Sequence, residues 1–375
     1  MAKDEKEKPK YTGTLAERLR QSSTLEVGGS FIEHQYSTED MIPTPVPMIN
    51  VGLAGDIKGG MLPGVLAIAG PSRHFKTAFG LLIASVFLKK YPDGFIVFYD
   101  TERGAPKEYF EMFDIALDRV DYRPVLNVEE MKFDLVSLLD MLQEGDKVLV
   151  FIDSIGSVAS KKEWTDALKE NSAADMARAK ELKSFWRTVL PYLSRKDVPM
   201  IAINHVYQEI ASNPKAAPKT TMSGGTGGLL AADNVWIVSR YGDIEGEGSK
   251  KELVGYDFMI KVAKSRFVHE GSTFMINVNK ETGIAKYSGL FDNAVEGGYI
   301  TNKGAWFESS IMEKNFRRDA VENDKAFWDK MFADTDFDVW LEKKYKLGQV
   351  KMLQEELNEP AAEEAGTKKK KPKEK

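Results

Sequence analysis

Five side chains in this sequence have the types and placement needed to handle a phosphorylated ligand: Lys76, Thr77, Glu102, Asp153 and His205. The first two close the stretch Gly70-Pro71-Ser72-Arg73-His74-Phe75-Lys76-Thr77. Before it runs apolar Val65–Ala69, and after it a longer apolar segment, Ala78–Leu88, stopped by Lys89, Lys90 and Pro92. Strand, tight loop ending in Lys-Thr, then helix is the layout of a phosphate-cradling loop. Backbone N–H groups at the helix N-terminus face the anion, the lysine reaches the β- and γ-phosphates, and the hydroxyl can hold Mg²⁺. One position departs from the pattern. Glycine normally precedes the lysine, and here it is Phe75, whose side chain bars conformations open to glycine. From the loop alone, an ordinary strand–turn–helix connection remains open.

The other three candidates each end an apolar run. Phe95–Tyr99 leads into Asp100-Thr101-Glu102, Lys147–Ile152 into Asp153-Ser154, and Pro199–Asn204 into His205. Apolar residues followed by Asp at a strand tip form a Walker B arrangement, in which the carboxylate orders Mg²⁺ or its waters. Taken singly, Glu102 reads as a solvated acid, Asp153 as a common strand end and His205 as a core imidazole. Taken together they fall at strand ends of one α/β sheet, where such folds hold their ligands.

The elements that must position these residues are readable in outline. Asn127–Glu144 has the pattern of an amphipathic helix, with Asn127 as N-cap, Glu130 three residues on and Gly145 after its end. Asn234–Arg240, Asp257–Arg266 and Phe274–Asn279 read as further strands. Strands alternating with helices, then a run of strands, imply a mostly parallel sheet extended by antiparallel strands. Upstream, residues 1–40 are polar, with apolar points at Leu15, Leu19, Leu25, Phe31 and Ile32, and Thr14–Arg20 could form a short helix. Prolines 43, 45 and 47 predict an extended lead-in over Met41–Pro47. Val206–Gly228 loses periodicity and reads as a long functional loop. From Asn323 come one or two small helices, and Glu355 onward reads as tail. The expected division is an N-terminal segment 1–45, a core 46–300 and a small C-terminal region 301–375.

Composition narrows the class. The 375 residues are 42% apolar and contain no cysteine, which excludes disulfides and thiolate metal sites and suits a cytoplasmic location. Met1–Lys10 is almost all charged, so no secretory signal is expected, and no run is apolar enough to span a bilayer. A net charge of −5 argues against an all-basic surface but leaves room for a local basic groove.

Longer stretches carry a resemblance. Met48–Gly60, Gly70–Thr77, Val148–Ser154, Ile201–His205, Thr221–Gly228, Ser288–Asp292 and Gly304–Phe307 resemble the motifs of RecA-type strand-exchange recombinases, over roughly Val46–Phe307. Phe75 looks like a variant of the loop found within that family.

The resemblance implies a RecA-like P-loop ATPase core that uses ATP and Mg²⁺. It makes Lys76 and Thr77 the triphosphate and metal residues, with Asp153 supporting the metal. Glu102 becomes the base for the attacking water, Tyr109 the ring stacked on adenine and His205 the γ-phosphate sensor, where the family more often has Gln. Lys264 and Arg266 would reach the γ-phosphate of a neighbouring subunit. DNA would meet two loops. One is Ser160–Ser172 with Lys161, Lys162 and Trp164, followed by a helix carrying Arg178, Lys180 and Lys183. The other is Val206–Gly228 with Lys215, Lys219, Gly224 and Gly225. Segment 11–40 would dock on the adjacent subunit through Phe31 and Ile32, building a helical filament. The implied partners are single- and double-stranded DNA, a recombination mediator and a single-strand-binding protein. The tail departs from the family's acidic end: Glu355, Glu356, Glu359, Glu363 and Glu364 precede Lys368–Lys371. A hexameric helicase or motor ATPase on the same core is the alternative, and an ATP-binding scaffold a second one.

Overall fold

The computed structural model describes residues 13–24, 40–168, 177–209, 219–223, 231–245 and 252–348. Phe31, Ile32, Lys215, Gly224, Gly225 and the charged tail lie outside them, as does the side chain of Lys219. The chain divides into two compact units, Met1–Met41 and Ile42–Lys375. In the first, helix α1 (Leu15–Ser22) starts at a capping box. Thr14 Oγ1 accepts from the Glu17 N–H, and Glu17 Oε2 accepts from the Thr14 N–H at 2.6 Å. None of its residues is buried, and Leu15 and Leu19 are 63% and 62% exposed.

The second unit begins with α2 (Pro47–Ala54), so the proline lead-in ends one residue earlier than expected. Pro47 opens the helix at its first position, where a missing N–H costs nothing. Met48 to Ala54 are all buried. Asn234 and Trp236 donate to the Gly52 carbonyl, satisfying the helix end from the sheet.

In chain order the remaining elements are β1 (Gly64–Gly70), α3 (Lys76–Lys90), β2 (Phe95–Asp100), α4 (Lys107–Glu111), β3 (Val120–Pro124), α5 (Val128–Met141), β4 (Val148–Asp153), α6 (Lys161–Leu168), α7 (Ala177–Arg195) and β5 (Pro199–Glu209). Then follow β6 (Lys219–Met222), β7 (Asn234–Glu245), β8 (Glu252–Ser265), β9 (Thr273–Asn279), β10 (Gly283–Ile284), α8 (Leu290–Glu296), the small hairpin β11 (Thr301–Asn302) and β12 (Phe307–Glu308), α9 (Arg318–Val321), α10 (Lys325–Asp334) and α11 (Phe337–Tyr345).

The sheet order is β10-β9-β8-β7-β1-β5-β4-β2-β3, with β6 paired to β5. From β3 across to β7 every pair on this path is parallel, and β8, β9 and β10 add antiparallel strands. This is the RecA-like α/β core expected from the sequence. Its two faces bury separate cores. One packs α2, α3 and the C-terminal helices through Phe79, Trp236, Phe258, Trp328 and Phe337, and the other packs α5 and α7 through Val150, Met200, Leu135 and Phe185. No helix among the described residues is long and apolar enough to cross a membrane.

Three local expectations need correction. The first candidate DNA loop is partly helix, because Lys161–Leu168 forms α6. Ser160 caps its start, accepting from the Glu163 N–H while the Glu163 carboxylate accepts from the Ser160 N–H. The second candidate loop, Val206–Gly228, is partly strand, because Val206–Glu209 pair with Lys219–Met222 in an antiparallel ladder. Helix α5 stops at Met141, three residues short of Glu144.

Candidate active site

The parallel register gathers the site. Gly70 at the end of β1 lies beside His205 on β5, and Asp100 at the end of β2 lies beside Asp153 on β4. Gly70 is required there, because a Cβ would sit 2.8 Å from the Val238 carbonyl of β7. Beyond it the chain turns through Arg73, at φ +61°, and Phe75, at φ +59° and ψ +16°, into α3. Phe75 thus adopts the left-handed conformation usually left to glycine, which costs a residue with a Cβ roughly 1–2 kcal/mol. Its ring offsets that cost. It stacks on Phe258 at 5.4 Å and meets Phe79 edge-on at 5.5 Å, and such pairs contribute about 0.5–1.5 kcal/mol each beyond their burial.

No N-cap side chain bonds the first turn of α3, which leaves its N–H groups available to an anion beside the loop. Lys76 is buried and donates from Nζ to the Pro71 carbonyl at 2.8 Å. Burial pulls its pKa below the usual lysine range, opposed by the charges of Asp153 and Glu102. His74 Nδ1 lies 2.9 Å from the Ser72 carbonyl within the loop. Thr77 Oγ1 donates to Asp153 Oδ2 at 2.7 Å. Asp153 is buried, and burial pushes its carboxyl up to about 6, with Thr77's hydrogen bond opposing and the neighbouring Glu102 and Asp100 charges adding to the rise. A buried carboxylate held beside a hydroxyl at the mouth of an anion cradle suits a hard divalent cation, which takes oxygen ligands and would favour the ionised form.

Glu102 sits at the centre of a second cluster. Its Oε1 accepts from Ser154 Oγ at 2.5 Å, from Ser157 Oγ, and lies 2.9 Å from His205 Nε2. Burial raises its pKa, but the hydrogen bonds from Ser154, Ser157 and His205 outweigh burial and hold it below the usual carboxylate range. Asp100 Oδ1 fixes the turn by accepting from the N–H groups of Glu102 and Arg103. Thr101 and Ser154 pair across it, Thr101 Oγ1 donating to the Ser154 carbonyl at 2.9 Å and accepting from the Ser154 N–H at 3.0 Å.

Sequence reasoning missed Ser157 and the polar chain behind His205. Asn204 Oδ1 accepts from the His205 N–H, and Asn204 Nδ2 donates to the Ser223 carbonyl. Ser223 Oγ donates to the Gly156 carbonyl at 2.9 Å. Arg178, expected at DNA, instead grips that same turn, donating from Nε to the Val158 carbonyl at 2.8 Å and from Nη2 to the Gly156 carbonyl. Backbone turns of this kind leave no signal in residue types.

The remaining candidates are placed as follows. Tyr109 lies on α4, 38% exposed. Lys264 and Arg266 are not brought to the site of their own chain. Lys264 Nζ donates to the Ala232 carbonyl at 2.7 Å, and Arg266 Nε pairs with Asp233 Oδ1 at 2.8 Å. Asp233 also accepts from the Val65 N–H, which places the pair at the opposite end of β1 from Gly70, about 17 Å away along the strand at ~3.3 Å per residue. On α6, Lys162 pairs with Asp166 at 3.5 Å, the Lys161 N–H donates to Glu129, and Trp164 Nε1 donates to the Leu126 carbonyl at 2.7 Å. Lys180 is exposed on α7.

Comparison with known proteins adds the lineage. The chain is 39% identical over 350 residues to the "Recombination and repair protein" of Enterobacteria phage T4, a match covering 90% of this chain and 87% of that protein. It is 26% identical over 330 residues to the RecA protein of Streptomyces rimosus, covering 87% and 82% of the two chains. With the RecA protein of Aquifex pyrophilus it shares 23% identity over 307 residues, covering 78% and 83%. No protein-family model matches the chain.

Proposed function

This chain belongs to the RecA family of recombinases, close to the phage UvsX type, and we propose that it is a DNA-stimulated ATPase that coats single-stranded DNA as a helical filament and exchanges strands with homologous duplex. The carrying observation is the meeting of Glu102 and His205, 2.9 Å apart, beside the Lys76, Thr77 and Asp153 constellation.

Lys76 and the first-turn N–H groups of α3 bind the phosphates of ATP. Thr77 Oγ1 and Asp153 would hold Mg²⁺, which supplies positive charge at the β- and γ-phosphate oxygens. Glu102, ionised at neutral pH, orients the attacking water and takes its proton. Three donors on Oε1 keep it a weak base in the described state. When His205 turns to the γ-phosphate, one donor leaves Glu102 and its basicity rises. The same movement pulls on Asn204 and Ser223, and so on the β5–β6 ladder that frames the second DNA segment. In this reading Arg178 positions the turn at Gly156 instead of binding phosphate. Lys264 and Arg266 act on the next subunit's nucleotide, stabilising charge that develops in the transition state.

DNA is gripped by α6, α7 and the segment beyond Glu209. If each subunit neutralises about three phosphates, log K falls with log[salt] at a slope near −2 per subunit, on the order expected for single strands. A recombination mediator and a single-strand-binding protein are the partners this reading implies, in the cytoplasm of the host cell.

The deciding experiment measures ATP hydrolysis with and without single-stranded DNA and images the same samples by electron microscopy. Strong stimulation together with helical filaments supports the recombinase. Closed rings that unwind duplex without homology would point to a helicase instead.

A further inference from the structure

We propose that Phe258, buried in the middle of β8, is a positioning residue for the phosphate loop, holding it in its anion-binding shape by stacking on Phe75. The inference rests on the reading of residues 70–77 as the nucleotide cradle and concerns how this chain builds that cradle without the usual glycine.

Phe75 is the last residue before α3, and its left-handed backbone aims the first-turn N–H groups into the loop. Glycine adopts that conformation without strain, whereas phenylalanine must be held in it. What holds it is a run of contacts from outside the loop. Phe258 lies 2% exposed, with its ring stacked on Phe75 at an interplanar angle of 27° and edge-on to Phe79 at 88°. Tyr256, two residues earlier on the same strand face, lies 6.2 Å from Phe258 and carries the Arg240 guanidinium over its ring at 4.7 Å. Arg240 completes the circuit by donating from Nη1 to the Arg73 carbonyl at 2.8 Å. Both non-glycine residues of the loop with positive φ, Arg73 and Phe75, are therefore tied to β7 and β8. The antiparallel pair Arg240–Phe258 puts the two anchors side by side in the ladder. The ring of Phe75 thus acts as a handle, and β8 is where the handle is fastened.

A cradle held from outside has a distinctive genetic signature. Loosening it raises the dissociation constant for nucleotide while the turnover number at saturating ATP, set by Glu102, changes little. The test is a double-mutant cycle between Phe75→Gly and Phe258→Leu, with ADP and ATP binding measured by titration and each fold checked by thermal melting. In the natural background Phe258→Leu should weaken ATP binding about five- to tenfold. In the Phe75→Gly background, where no ring remains to be held, the same change should weaken it less than twofold. Phe258→Met, which fills the same space with a flexible chain, serves where the leucine variant melts early, and the same pattern is expected. An equal loss in both backgrounds would mean that Phe258 only fills the core, and no loss in either would mean the loop holds itself, so either result overturns the proposal. Lys76→Ala is measured alongside. If it keeps full nucleotide affinity, the cradle reading itself fails, a result distinct from loss of the coupling alone.

Discussion

His205 Nε2 approaches Glu102 Oε1 to 2.9 Å across 103 residues of sequence, joining β5, at the last residue it pairs with β1, to the turn after β2. Ser154 and Ser157 close on the same oxygen from the turn after β4. One strand and two turns therefore meet at one carboxylate oxygen, so its chemistry depends on all three.

Removing the charge of Glu102 while keeping its shape tests its role as base. Glu102→Gln should lower ATP turnover by at least ~10²-fold while leaving nucleotide binding intact. His205→Gln keeps an N–H donor and should retain DNA stimulation, whereas His205→Ala should bring the ratio of stimulated to basal rate close to one. A stimulation ratio in His205→Ala equal to the parent's would remove His205 from the relay.

Asp153 carries a stability cost that the proposed metal-holding role would explain. Its folded pKa of about 6 stands above the ordinary 3.8, so between those values the folded state binds more protons than the unfolded one. Stability of the metal-free protein is therefore lost as pH rises through that window, by up to about 3 kcal/mol from this group. Asp153→Asn should melt higher than the parent at pH 7 without ligand, with a gap that narrows toward pH 4. The same variant should gain nothing from Mg²⁺ and ATP together. A gap that stays constant from pH 4 to 7 would contradict the argument.

How much of this was legible beforehand follows from residue chemistry. Lys76, Glu102, Asp153 and His205 stand out because each follows an apolar run of strand length, although β5 continues past His205 to Glu209. Helix α2 did not, because it is buried on every side and has no polar face to reveal its period. β3, with the sequence Val-Asp-Tyr-Arg-Pro at the sheet's edge, is too polar to read as a strand. Ser157, and the turn contacts of Arg178, were hidden for another reason: both depend on backbone turns whose geometry exists only after folding.

The proposed sharing of the site between subunits has its own assay. Lys264 and Arg266 face away from their own phosphate loop, tied to Ala232 and Asp233. Glu102→Gln and Arg266→Ala subunits, each inactive alone with DNA, should recover partial ATP turnover when mixed, because some junctions then pair an intact base with an intact arginine. If the mixture stays as inactive as its parts, Arg266 does not serve a neighbouring site.

Arg119 offers a stability test away from the chemistry. Its guanidinium donates to the carbonyls of Leu88, Tyr91 and Gly94, closing the end of α3 and the turn into β2. Arg119→Met should cost about 2–3 kcal/mol in denaturant unfolding, since charge-assisted bonds to several carbonyls are lost together. A change below about 0.5 kcal/mol would show that water replaces the guanidinium freely.

The position of β1 sets a timetable for the chain's synthesis. This strand carries the phosphate loop, yet its two neighbours are Pro199–His205 and Asn234–Ile237. On a ribosome adding 5–20 residues each second, the newly made loop waits roughly ten to thirty seconds for β7 to emerge. For most of that interval, until β5 follows, this apolar strand has neither flank. The nascent chain therefore carries β1 as an unpaired apolar segment well before the proposed nucleotide cradle is complete.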